Sequence, residues 1–313
     1  MSAAPGPLTI DNAAWPDASP RLSVLIPFYR DDPRSLLDLL DGQAQTLDCP
    51  VEIVLLDDCG GCARLSADVA QHTLSLRTPT RLVAVPVNGG RAKGRNRLAA
   101  DARSGHFLFL DSDMAPDHGD FLRRWLAVVD ARAPVVFGGF STRQAPDRPE
   151  HALHRRLAAR SDCAAAAERA LQPEKFVFTS NLLVRRDVFE THPFDEGFKG
   201  WGWEDVEWGA RVSRLHPIGH IDNTATHLGL DTAAAIAGKY EQSAANFGRI
   251  ARSHHDLVSR YPSYRAARLC RRIPARPVWR PALKALALAE KAPLPLRALA
   301  MRLYRAALCA EEV

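Results

Sequence analysis

Short apolar runs alternate, over the first 110 residues, with segments whose apolar positions recur at helical spacing. Leu22–Phe28, Val51–Leu56, Leu82–Val87 and Phe107–Leu110 have the length and the β-branched or aromatic content of buried strands. Between them lie Pro33–Leu47, Cys62–Leu76 and Arg91–Arg103. In the first of these, Leu36, Leu37 and Leu40 share one helical face behind a proline suited to a first turn. Strands separated by helices need crossovers and run parallel, so the pattern predicts an α/β sheet. Such sheets bind ligands beyond the carboxyl ends of their strands, which directs attention to the residues after each apolar run.

Farther along, the pattern predicts a helix from just after Asp117 to about Ala131 and a strand over Val135–Phe140. An Ala-rich helix over Ala152–Leu171, a strand over Phe176–Val184 and a helix over Glu204–Leu215 follow. A last strand over Ile218–His227 and a helix from Thr232 complete the body. Residues 1–20 are polar and read as a flexible leader, residues 21–250 as the α/β unit, and residues 251–313 as a basic helical extension rich in Arg, Pro, Ala and Leu.

Charge divides along the same line. The 313 residues carry 41 Lys+Arg and 36 Asp+Glu, a formal +5. From Arg252 onward there are 13 Lys+Arg against 4 Asp+Glu, a net of +9, which leaves −4 for the body. Hydrophobic content of 46% and charged content of 25% match a globular protein and exclude a disordered or collagen-like one. Six cysteines in this length make no disulfide framework, and no segment reads as a secretory leader or a membrane span. The expectation is a cytoplasmic, reduced protein.

The strand ends carry the candidate chemistry: Pro27-Phe28-Tyr29-Arg30, Asp57-Asp58, Asn88-Gly89-Gly90 and Asp111-Ser112-Asp113. Two carboxylates at i and i+2 after a buried strand can converge on one hard cation, and Mg²⁺ or Mn²⁺ prefers such oxygen ligands. In Gly200-Trp-Gly-Trp-Glu-Asp205, glycines flank Trp201 and leave apolar ring faces for a flexible ligand such as a sugar. Glu204 and Asp205 then fall at a helix N-terminus, where the dipole favours their charged form. The alternative is that they cap the helix while the Trp residues fill core, which the glycines on both sides of Trp201 disfavour.

Together these stretches resemble the family 2 type glycosyltransferases of the nucleotide-diphosphosugar (GT-A) fold, through Leu22–Tyr29, Val51–Asp58, Asn88–Asn96, Phe107–Met114 and Phe198–Glu207. The last segment is similar to the Gly-Trp-Gly-x-Glu-Asp signature of β-1,4-galactosyltransferases and bacterial chondroitin-type polymerases. The resemblance implies a Rossmann-like, mainly parallel sheet flanked by helices, with a nucleotide-sugar half near 21–115 and an acceptor half near 116–250. It implies that Pro27 and Tyr29 line the nucleotide pocket, that Asp58 accepts from the base and that Arg95 lies near the base or phosphates. Asp111 would reach the ribose or a metal-bound water, Asp113 would ligate the metal, and His227 matches a metal-binding histidine, with a structural histidine as the alternative. Asp205 would be the catalytic base and Glu204 an acceptor ligand beside Trp201 and Trp203. The implied reaction is metal-dependent, inverting transfer from a nucleotide-diphosphate sugar, a UDP-sugar by resemblance, to a glycan or lipid-linked hydroxyl in bacterial surface polysaccharide or glycoconjugate synthesis.

Rival readings are a metal-dependent phosphohydrolase, a nucleotidyltransferase and a nucleotide-sugar-binding scaffold without chemistry. The first places its D-x-D after strand one; here it follows the fourth strand. The second needs a Gly-rich basic loop where this chain has Pro-Phe-Tyr-Arg. Cys59-Gly-Gly-Cys62, which replaces the family's usual Gly-Ser or Asn-Ser, could be a redox pair, but glycines supplying a tight turn is the plainer account. In the tail, Leu296, Leu299 and Leu303 share one helical face and Arg297, Arg302 and Arg305 another. Beside a solvated helix face, this pattern suggests peripheral contact with an anionic membrane at the inner face of the plasma membrane; it lacks the motifs of a nucleic-acid binder.

Overall fold

The computed structural model describes residues 6–16 and 19–313. In chain order the strands are β1 (Leu8–Asp11), β2 (Leu22–Phe28), β3 (Val51–Asp57), β4 (Thr80–Ala84), β5 (His106–Leu110) and β6 (Met114–Pro116). Then come β7 (Val135–Phe137), β8 (Phe140–Ser141), β9 (Asn181–Arg185), β10 (Ile218–His220) and β11 (Ala225–His227). The helices are α1 (Arg34–Ala44), α2 (Ala63–Ser75), α3 (Arg91–Asp101), α4 (Phe121–Asp130), α5 (Ala152–Ala158), α6 (Ala166–Arg169) and α7 (Arg186–Thr191). They continue with α8 (Glu204–Val212), α9 (Ala233–Ser253), α10 (His255–Val258), α11 (Pro262–Arg272), α12 (Arg276–Leu288) and α13 (Leu294–Cys309).

An eight-stranded sheet runs β1-β4-β3-β2-β5-β9-β7-β10, and β6-β11-β8 form a small second sheet. β4, β3, β2 and β5 are mutually parallel, as the strand–helix alternation requires, while β9 pairs antiparallel with both β5 and β7. Successive residues on a strand point to opposite faces, and both faces are covered. Val24, Ile26, Ile53 and Leu55 pack with Leu36, Leu37 and Leu40 of α1 and Phe121 and Trp125 of α4. Leu25, Val54, Leu56, Phe107 and Phe109 pack on the other side with Leu98 of α3, Phe189 of α7 and Trp208 of α8. With both faces buried, the strand ends are the part of the sheet left to meet a ligand.

Several boundaries differ from expectation. Part of the supposed flexible leader is anchored: β1 pairs antiparallel with β4, and Trp15 lies between the guanidinium groups of Arg103 and Arg81, at 3.8 and 4.5 Å from its ring centroid. The single strand expected over Val135–Phe140 breaks at Gly138-Gly139, where Gly139 takes φ +98° and a Cβ on Gly138 would meet Asn181 and Trp125 at 2.5 Å. The chain thereby leaves the large sheet for the small one. Ile218–His227 divides likewise into β10 and β11, in different sheets. The helix expected over Ala152–Leu171 ends at Ala158 because Arg169 turns inward to the Ile221 carbonyl at 2.6 Å, and Ala166 N–H is capped by Asp222 at 2.9 Å. Tertiary hydrogen bonds there override alanine's helix propensity. Of Phe176–Val184 only the part from Asn181 onward is strand; Pro173–Phe176 makes a 3₁₀ turn.

The boundary expected at 250/251 falls inside α9. The basic extension is not detached: Ala298, Met301 and Tyr304 of α13 share a core with Leu153 of α5 and Ile236 of α9. Tyr261, Tyr264 and Cys309 share another with Phe198, Trp203 and Phe247.

Candidate active site

At the end of β2, Pro27 is half-buried and Tyr29 is exposed, with the Arg30 guanidinium 4.9 Å from the Tyr29 ring. The Cys59–Cys62 loop passes directly beneath. A Cβ on Gly60 would fall 1.3 Å from the Tyr29 carbonyl oxygen, so that position admits only glycine, and Gly61 takes φ +77°. The glycines thus account for the loop, and both cysteines are free thiols.

Asp58, at the end of β3, is buried. Its carboxylate accepts Gly89 N–H at 2.8 Å, Gly90 N–H at 3.1 Å and Asn88 Nδ2 at 3.1 Å. Burial raises its pKa and the two backbone donors oppose the shift. The carboxylate therefore joins the end of β3 to the turn before α3, and its remaining lone pairs are the ones a nucleobase could use.

That turn aims α3. Gly94 packs 3.0 Å, measured from a would-be Cβ, from Leu56, and Arg91 and Arg95 lie one turn apart on the helix. Arg95 Nη2 donates to Asp111 Oδ1 at 2.7 Å, and its Nη1 lies 3.6 Å from Glu204. Arg91 Nε donates to Glu204 at 2.8 Å and its Nη2 approaches Asp111 at 3.5 Å. With its side chain only 1% exposed, Arg95 reaches the site through Asp111, while Arg91, 40% exposed, is the arginine that faces outward. The sequence reading missed Arg91, although its i, i+4 spacing to Arg95 was visible. Burial works against ionisation of Asp111, but Arg95 and Arg91 outweigh it and hold the carboxyl below its usual range.

Asp113 turns elsewhere. Its Oδ2 contacts His227 Nε2 at 2.9 Å, its backbone oxygen accepts Leu228 N–H at 2.9 Å, and a Cβ on Gly229 would fall 2.3 Å from Oδ2. The two carboxylates of the D-x-D thus have different partners: Asp111 the arginines, Asp113 the imidazole. Asp117 fixes the strand bearing His227 by accepting the hydroxyls of Thr226 and Thr224 at 2.7 Å and of Ser141 at 2.6 Å. His227 is largely buried, which lowers its pKa, yet Asp113 more than compensates and raises it overall. Asp31, His154 and Lys239 complete this neighbourhood and carried no sequence signal. Desolvation and then Asp113 raise Asp31, the His154 ring centroid lies 5.6 Å from that of His227, and Lys239 pairs with Asp231 at 2.6 Å.

Among the described residues no group of three or more His, Cys, Asp or Glu is gathered to hold a metal alone. Asp113 and His227 nevertheless supply one oxygen and one nitrogen donor at a partly open position, and His227 Nδ1 is buried without a partner. Mg²⁺ and Mn²⁺ take most of their remaining positions from phosphate and water, so this donor pair fits either ion.

Gly200, Trp203 and Gly202 take φ of +72°, +78° and +87°. A left-handed Trp costs about 1–2 kcal/mol. It is held there by packing on Phe247, with centroids 4.9 Å apart. Trp203 is therefore core and not the open acceptor platform expected; it is 8% exposed. Trp201 keeps a partly open face beside Tyr240, at 6.4 Å. The turn delivers Glu204 and Asp205 to the first turn of α8. Glu204 is buried against Arg91 and Arg95, so in this conformation it holds the arginines instead of facing an acceptor. Asp205 is only partly buried and accepts Thr179 N–H at 3.3 Å and Thr179 Oγ1 at 3.4 Å. Burial, followed by the adjacent Glu204, pushes its carboxyl up to about 6 against the opposing arginines.

The geometry agrees with the comparison of sequences: residues 23–192 match the model of Glycosyl transferase family 2. The chain belongs to that family. Comparison with curated proteins finds no significant match. Among solved structures, the family 2 chain is similar to the mannosyltransferase PcManGT from Pyrobaculum calidifontis, in complex with GDP-Man and Mn²⁺, at 18% identity and TM-score 0.56 over 97% of this chain and 90% of that one. It is similar to S. aureus TarS 1–349 at 16% identity and TM-score 0.52, over 91% and 89% of the two chains. A mycobacterial protein matches at 19% identity and TM-score 0.50, over 74% and 75%. At these identities the likeness is one of fold, which for this chain is the mixed, mostly parallel α/β fold of such glycosyltransferases.

Proposed function

We propose that this family 2 protein transfers a sugar from a nucleoside-diphosphate sugar to an acceptor hydroxyl with inversion, using Asp205 as the base. The observation that carries the reading is Asp205 itself: a partly open carboxyl at a helix N-terminus with its pKa pushed up to about 6, beside the Arg91–Glu204–Arg95–Asp111 network. A base poised near neutrality removes the acceptor's proton as the hydroxyl oxygen attacks the anomeric carbon. The bond from that carbon to the diphosphate breaks, and its electron pair leaves with the nucleoside diphosphate. One base and no enzyme nucleophile gives a single displacement.

Pro27, Tyr29 and Asp58 would hold the nucleoside, with Asp111 kept ionised by its arginines for the ribose. Asp113 and His227 would hold Mn²⁺ or Mg²⁺, which supplies charge stabilisation to the departing diphosphate. Thr179 orients Asp205, and Trp201 offers the acceptor a ring face. A UDP-sugar is the donor that the motif resemblance favours; the GDP-Man bound by PcManGT makes a guanosine donor the alternative. The acceptor would be a glycan or lipid-linked hydroxyl at the inner face of the plasma membrane. Release of free nucleoside diphosphate on mixing the protein with UDP- or GDP-sugars, Mn²⁺ and acceptor extract tests the reading. Its absence with every donor overturns it.

A further inference from the structure

Helical periodicity alone groups Arg305 with the outward basic residues of α13, but the fold turns it inward. Its guanidinium carbon lies 5.2 Å from the Trp203 ring centroid and 4.8 Å from that of Tyr240. Its Nε is buried without a hydrogen-bond partner. Among the described residues it forms no ion pair; of the two acids on its own terminal segment, Glu311 is taken by Arg280 and Arg276, and Glu312 does not pair with it. Lys175 stands on a second pair of rings, with Nζ 4.9 Å from Phe176 and 5.8 Å from Tyr261, which shares a core with Trp203; Nζ donates to Gln172 Oε1 at 3.5 Å, and Lys175 too forms no ion pair among the described residues. Burial lowers the Lys175 ammonium, Glu174 works against that, and the charge of Arg305 adds to it. Asp162 feels Arg305 without pairing to it, and its carboxyl is raised by burial. Trp201 also neighbours Tyr240, its centroid 6.4 Å away and Lys239 Nζ 5.8 Å from its ring.

Two half-buried cations without an ion pair among the described residues, one on Trp203 and Tyr240 and the other on Phe176 and Tyr261, suit a bound anion, because a guanidinium grips carboxylate or phosphate bidentately. Of these rings, Trp201 and Trp203 belong to the loop that delivers Asp205. Resting on the function proposed above, we infer that the acceptor is an acidic glycan whose phosphate or carboxylate is bound by Arg305 and Lys175, while its sugar ring lies on Trp201 and Tyr240. The C-terminal helix then contributes to acceptor choice and is not only an outer support.

Calorimetric titration of the full chain, with UDP and Mn²⁺ present, compares glucose 6-phosphate, glucuronate and glucose. Either acidic sugar should bind at least about tenfold more tightly than glucose, and a preference for one of the two tells phosphate from carboxylate. Arg305→Leu should abolish that preference, and Arg305→Lys should keep part of it. UDP affinity should stay unchanged in both. Should Arg305→Leu fail to fold, Lys175→Gln carries the same expectation. Equal binding of the neutral sugar, no sugar binding at all, or a preference that survives in folded variants overturns the inference. Failure of the wild-type chain to bind either UDP or GDP would instead count against the proposed function.

Discussion

Arg95 Nη2 donates to Asp111 Oδ1 at 2.7 Å from a side chain that is only 1% exposed. This bond separates the two halves of the D-x-D, leaving Asp113 alone to face His227. It also ties the end of β5 to the first turn of α8, because the same guanidinium lies 3.6 Å from Glu204. Three loops distant in sequence are thereby held as one charged cluster.

Arg95→Leu should be among the most destabilising single changes in the site. It leaves Glu204 buried and Asp111 partly buried with one partner fewer, and breaking a buried pair from one side costs about 3–5 kcal/mol. Arg91 retains its own bonds to both acids, so the lower end of that range is expected. Urea unfolding of the variant measures it; a midpoint equal to wild type would refute the account of the cluster.

Asp205→Asn should lower transfer by on the order of a hundredfold or more while leaving nucleoside-diphosphate binding intact. Wild-type kcat/KM should rise with pH through about 6, where the Asp205 carboxyl loses its proton, and then level off. The stability consequence has the opposite sense. The folded carboxyl holds its proton up to about 6 and the unfolded one releases it near 3.8, so the folded state loses stability as pH rises across that window. Asp205→Asn should therefore raise Tm above pH 6 and approach the wild-type value below the unfolded pKa. Thermal unfolding at several pH values checks the sign.

How much of this was legible in the sequence depends on the range of the forces involved. β2, β3 and β5 were readable because they are buried on both faces and therefore continuously apolar. The ligand edge followed from their parallel order. The course of β7 into β8 and of β10 into β11 was not, since it is set by Gly138 meeting Asn181 and by Asn223 donating to the Phe121 carbonyl at 3.1 Å, across about a hundred residues. Asp113 and His227 were legible as a pair only through resemblance; their distance depends on the small sheet. Trp203 misled because the glycines flanking Trp201 suggest an open segment, whereas here Gly200 and Gly202 supply the left-handed turn that buries the Trp203 ring. Arg305 misled for a different reason: helical periodicity assigns a face, and only packing decides whether that face is outward.

Gly229→Ala should act through Asp113. The added Cβ would fall 2.3 Å from Oδ2, and a short aspartate side chain can escape only by rotating away from His227. Donor affinity measured with Mn²⁺ should fall toward that of Asp113→Ala, while affinity measured in EDTA should be the same in all three proteins. The overall fold should persist, because the clash is with a side-chain terminus and not with backbone. Unchanged Mn²⁺-dependent binding in Gly229→Ala would show that Asp113 is not the residue holding the ion.

The outer surface of the C-terminal helices carries exposed apolar side chains. Leu296, Leu299 and Leu303 remain exposed at 43%, 52% and 39%, as do Leu269 of α11 and Ile273 just after it, next in sequence to Arg268 and Arg272. Apolar side chains ringed by arginines suit the headgroup region of an anionic bilayer, where each basic residue adds about 1 kcal/mol. Removing the whole region is not an informative test, because Met301 and Tyr304 share a core with α9 and Arg305 lies on Trp203. Replacing Leu296, Leu299 and Leu303 together by serine changes only exposed positions and should leave Tm within about 1–2 °C of wild type. Flotation with phosphatidylglycerol vesicles should then drop several-fold, wild-type flotation should weaken as salt is raised, and neutral phosphatidylcholine vesicles should capture neither protein. Equal flotation of the triple variant and wild type on anionic vesicles would exclude this face of α13 as the membrane contact.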